Sequence, residues 1–194
     1  MHSIALLSLL LCLPARNEKA LRESFQKEMK AAEPAKRAEA AKKLAGAKEE
    51  ETIALLAGHL KDAAKEVQLA VAETLAGLED GAGVALKPLA AALVDRKVDP
   101  DVRMACAKVL VKSKYKVEPI GAMVETICNI SNEDRHLHKF GGEVTGMLNA
   151  FTGEDFGKGK QTPGLWEQWW ADNKEKLKKA DEALLAEYRK SQKK

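Results

Sequence analysis

The chain has 194 residues, 45% hydrophobic and 31% charged, with a net charge of +3. That length and apolar share suit one compact domain or one short repeat array with its own core, and they exclude a disordered chain. The charge is uneven: residues 174–194 carry eight Lys/Arg against four Asp/Glu, and the remainder sums to −1. A nucleic-acid binder carries a basic stripe across its fold, so no nucleic-acid partner is expected.

Residues 1–15, MHSIALLSLLLCLPA, contain no Asp, Glu, Lys or Arg. The apolar run 4–13 is shorter than the roughly 20 residues that span a bilayer, so no integral membrane span is expected. It matches the apolar region of a secretory signal, with Ala15 as the small residue before the cut, although no Lys or Arg precedes it. An export signal over 1–15 is the expectation, with Cys12 as the candidate lipid anchor. Arg16-Asn17-Glu18-Lys19 turns abruptly polar, as a signal boundary does.

From there the chain repeats itself. AKRAEAAKKLAG (35–46), DAAKEVQLAVAETLAGL (62–78) and DPDVRMACAKVL (99–110) overlay, with Arg37, Gln68 and Arg103 equivalent. A degenerate copy ends at MLNAFTG (147–153). Between them lie further amphipathic segments. Residues 52–60 place Ile53, Leu56, Ala57 and Leu60 at helical spacing, and 84–94 do the same with Leu86, Leu89, Ala90 and Leu93. In 117–130 the apolar positions are Ile120, Met123, Val124, Ile127 and Cys128. Pro88, inside the second of these, predicts a kink. No segment alternates with period two, so the expected fold class is all-α: antiparallel helix pairs of ~30–40 residues, stacked because no pair covers its apolar face alone.

The pattern of an upstream Pro followed by Asp-x-x-Val-Arg-x-Ala-Cys-Ala-x-x-Leu, here Pro88 and Asp99–Leu110, resembles a HEAT repeat. Asp62–Leu78 is similar, with Gln68 where Arg is usual. The resemblance covers residues 34–151 and implies a short α-α superhelix, a HEAT-like solenoid over 16–151. It also implies a scaffold that binds protein partners along a concave face, without catalysis. In such repeats Arg103 would pair with an Asp of a neighbouring turn, and Asp62, Asp95 and Asp99 are the candidates. A stacking role for Asp62, Asp99 and Arg103 is expected.

Residues 152–194 differ in composition. The stretch TGEDFGKGKQTPGLWEQWW holds all three tryptophans. Thr152-Gly153 ends a helix, with Gly153 suited to a left-handed position. Thr162-Pro163 opens the next, with Thr as N-cap. On it Trp166, Trp169 and Trp170 fall at i, i+3 and i+4, within reach of Phe156. Two readings stand. The aromatics cap the solenoid by covering its last apolar face, or they form a platform that binds a carbohydrate or peptide. The segment is similar to the Leu-Thr-Gly-x-x-Phe-Gly and Trp-x-x-Trp-Trp-x-x-Asn endings of exported bacterial HEAT-repeat proteins, with Phe151 in place of Leu. A last helix is expected over 180–190.

No catalytic, cofactor or metal set emerges. His136 and His138 are two apart on a predicted helix and diverge, and His59 is alone. Gly141-Gly142 and Gly157-x-Gly159 lack the strand-then-helix setting of a phosphate loop. Cys106 and Cys128 sit at apolar helix positions as buried thiols, and an exported chain would permit a disulfide between them. The expectation is a non-catalytic, exported protein-interaction scaffold, with a carbohydrate- or peptide-binding module as the alternative.

Overall fold

A computed structural model describes residues 17–78, 83–130, 137–157 and 161–193. The export signal and Cys12 lie outside the described residues, as do His136 and Gly159.

The described residues form helices α1 (Glu18–Glu28), α2 (Pro34–Lys42), α3 (Glu50–Gly58), α4 (Lys65–Ala76), α5 (Leu86–Val94), α6 (Pro100–Leu110), α7 (Val117–Cys128), α8 (His138–Thr152) and α9 (Thr162–Ser191). A 3-10 turn, His59–Lys61, follows α3. Consecutive helices pair as α1/α2, α3/α4, α5/α6 and α7/α8. The first members stack as one layer, α1 on α3 on α5 on α7, and the second members as another, α2 on α4 on α6 on α8. This is an α-solenoid of four pairs.

Small residues set the spacing. Ala38 and Ala41 of α2, Ala70 and Ala72 of α4 and Ala107 of α6 are buried where the second-layer helices meet. A methyl group in place of a longer side chain lets the backbones approach closely. Larger residues fill the space between layers: Leu44, Leu56, Leu75, Leu93, Leu110, Ile120 and Leu148 are nearly or fully buried.

The helix starts follow local chemistry. Pro34 and Pro100 occupy the first position of α2 and α6. Asp99 caps α6 by accepting from the Asp101 amide at 2.9 Å. Pro88 makes no kink. It is the third residue of α5, where the backbone N–H has no intrahelical partner to lose. Pro119 holds the same place in α7. Helix α1, in the polar stretch after Arg16, extends the array by one helix: Phe25, 2% exposed, meets the His59 ring edge-on at 5.1 Å.

At the far end the pattern reverses. Gly153 ends α8 at φ 83°, in the left-handed conformation. The chain then crosses back before α9 begins. Cys128 Sγ, at the end of α7, lies 3.5 Å from the Pro163 carbonyl at the start of α9. Asp181, five turns on, accepts from the Lys116 and Val117 amides at the start of α7. Helix α9 is therefore antiparallel to α7, whereas a fifth pair would run parallel to it. The reversal closes the stack. Helix α9 is continuous, so no separate helix begins at 180, and Thr162 lies inside it rather than capping it. The Thr162 hydroxyl is buried and donates to the Gly157 carbonyl at 3.3 Å.

Candidate functional site

Where α9 crosses the first layer, a groove of about 790 Å³ opens between α5, α7 and α9. Each helix presents one face, read from residues a turn apart. From α5 come Lys87, Ala90, Ala91 and Val94, followed by Asp95. From α7 come Glu118, Gly121, Glu125 and Cys128, and from α9 Glu167, Trp170 and Lys174. The floor is small and apolar and the rim is charged. Gly121 makes the wall: a Cβ there would lie 3.0 Å from the Trp170 ring, so a larger residue would push the indole outward by a few tenths of an ångström. Lys174 Nζ stands 5.7 Å from the centre of the same ring.

The other aromatics serve the interior. Trp166 is fully buried. Phe156 meets it edge-on at 4.8 Å and 78°, and Trp169 meets it at 5.5 Å and 75°. Edge-to-face contacts of this kind stabilise a core beyond simple burial. They give Phe156, Trp166 and Trp169 no common flat face on which a sugar could stack. Of the three tryptophans, Trp170 alone lines the groove. Among the described residues the Trp166 indole N–H has no hydrogen-bond partner.

The expected stacking residues fall at the joints between pairs. Asp62 receives two bonds from Arg37, Nε at 2.9 Å and an NH2-group nitrogen at 2.8 Å, and both side chains are largely covered. This joins α2 to the turn before α4. The fork holds the Asp62 carboxyl below the usual carboxylate range, against the opposing effect of burial. At the next joint Lys65 reaches Asp99 at 3.0 Å and Asp101 at 2.6 Å. Gln68 turns inward and donates to the Asp62 carbonyl at 2.7 Å.

Arg103 does not pair with Asp62, Asp95 or Asp99. It is 2% exposed, and its Nε donates to the Leu93 carbonyl at 2.7 Å. Its guanidinium lies 4.6 Å over the Phe140 ring. Leu93 is in the last turn of α5, where carbonyls lack helical partners and the helix dipole favours a cation. Arg103 thus closes α5 and stacks on α8 at once.

The two thiols part company. Cys106 is buried, and burial pushes its thiol up to about 12. Cys128 is exposed at the groove rim, which corrects the expectation of a second buried thiol. Burial of part of the sulfur, then the charge of Glu167, raises its thiol. Both are free, so no disulfide joins them.

Two carboxylates that the sequence did not single out close the array. Glu18 of α1 accepts from the Lys48 and Glu49 amides at 2.7 and 3.0 Å, capping α3. Asp181 of α9 does the same for α7 at 2.8–2.9 Å. Each partner is 30 or more residues away, and no local spacing marks such a pair. Among the described residues no group of three His, Cys, Asp or Glu side chains is placed to hold a metal ion. Nor is any helix of these residues long and apolar enough to cross a membrane.

Residues 23–111 match the family model for HEAT repeats, a span that runs from α1 to the end of α6. Over these residues the chain is similar to HEAT repeats and folds as paired helices, and α7 and α8 continue the same stack. No curated protein and no solved structure matches the chain.

Proposed function

We propose that the chain is a non-catalytic scaffold that holds a protein partner in the groove between α5, α7 and α9, outside the cytoplasm. HEAT repeats commonly act as interaction scaffolds, and the match over 23–111 supports that class. The observation that carries the reading is the groove itself. It has a small-residue floor, one partly exposed tryptophan and a charged rim, the makeup of a peptide-docking surface. The groove opens on the first-helix layer and is completed by α9, beyond the matched repeats. Export rests on residues 1–15 alone. The test is a comparative pull-down from the cell-envelope fraction with the wild-type chain and Ala91→Trp, which fills the groove from an exposed position. A partner retained by wild type and lost with Ala91→Trp is expected. Equal recovery by both, or no enriched protein, would count against the proposal.

A further inference from the structure

The groove is electrically lopsided. Helices α5 and α7 enter the stack in the same direction, and α9 runs against them. One end of the groove therefore gathers Asp95 after α5, Glu125 in the last turn of α7 and Glu167 in the second turn of α9. The C-termini of α5 and α7, partially negative, point to that same end, and the N-terminus of α9 offsets only part of this. Among the described residues none of these three carboxylates forms a salt bridge, although Asp95 accepts from the Lys97 amide at 2.9 Å and its charge reaches Arg103. The closeness of Glu167 is felt at Cys128, whose thiol it helps to raise. The opposite end holds Lys87, Lys174 and Glu118, a near balance.

We infer that the partner segment is cationic at one end. A Lys or Arg side chain lies among Asp95, Glu125 and Glu167, and the neighbouring apolar residues lie over Ala90, Ala91, Gly121 and Trp170. This rests on the scaffold reading and names its ligand chemistry. The carboxylates are exposed and stay hydrated until the partner arrives, so bringing a cation to them costs little desolvation. Three exposed anions around one groove end also repel an acidic segment. Charge then sets orientation and partner choice, while the apolar floor and Trp170 supply contact area.

The probe is a fluorescein-labelled peptide of alternating Leu and Lys, titrated by anisotropy against the full chain, with a Leu/Glu peptide as control. Cys128 reports position: its alkylation, followed by peptide-resolved mass spectrometry, should slow when the groove is filled. Buried Cys106 reports that each variant stays folded. The Lys peptide is expected to bind, to protect Cys128 and to weaken with added salt. Glu125→Gln with Glu167→Gln should cut its affinity about fivefold, the scale of two partly exposed ion pairs. Ala91→Trp should abolish binding. Equal binding of both peptides, or no change with the double Gln variant while Ala91→Trp still blocks, overturns the cationic partner and leaves the groove reading standing. If neither peptide protects Cys128 and Ala91→Trp changes nothing, both readings fall.

Discussion

Trp166 and Trp170 are four residues apart on one helix, yet they do different work. Trp166 lies in the core between Phe156 and Trp169, while Trp170 turns to the groove with its ring against Gly121. Replacing Trp166 by Ala leaves a large cavity and should cost roughly 3–5 kcal/mol in chemical denaturation. Trp166→Phe should cost much less, because it keeps most of the ring and removes an indole N–H that has no partner among the described residues. Trp170→Ala removes a half-buried ring, so it should cost less stability than Trp166→Ala and weaken peptide binding strongly. The helical spacing of the tryptophans was readable from the order of residues. Which ring faces inward was not, because that depends on where α9 lies across α7.

At the scale of elements, α9 is the member that breaks the repeat. Its reversed direction leaves no fresh first-layer face for another pair, and Asp181 fastens it to the start of α7. Asp181→Ala should remove a helix cap and destabilise the chain by about 1 kcal/mol. Amide exchange should then rise in the first turn of α7 and in α9, with α2 and α4 unchanged, since a stacked array couples mainly nearest neighbours. Uniform exchange changes along the chain would contradict this picture. Arg103 shows the limit of motif reasoning at the same scale. The motif marks the residue as structural, but the acceptor is a helix-end carbonyl ten residues back rather than an aspartate of the next turn.

Across the whole molecule, carboxylates at the joints tie stability to pH. Asp62 is lowered chiefly by its bonds from Arg37. Glu18 is raised by burial but lowered on balance by the Lys48 and Glu49 amides, with help from Thr52 and Arg22. A carboxyl whose folded value is depressed stabilises the fold above its unfolded value, about 4, and that contribution is lost as pH falls through the folded value. Thermal midpoints should therefore hold near neutral pH and drop below about pH 4. In Asp62→Asn the drop should be shallower, from a lower starting midpoint. A midpoint curve of the same shape in wild type and variant would contradict the role given to this joint.

The all-helical class, the pair-by-pair stacking and the end of α8 at Gly153 follow from the sequence alone, because apolar spacing, Ala and Gly placement and backbone sterics act over a few residues. The joint partners, the exposure of Cys128, the reversed course of α9 and the groove were decided only in three dimensions. Those features depend on groups from about 10 to 65 residues apart meeting at fixed distances. The direction in which a helix crosses its neighbour is set by the loop before it and the face it must cover, and neither is written in its own periodicity.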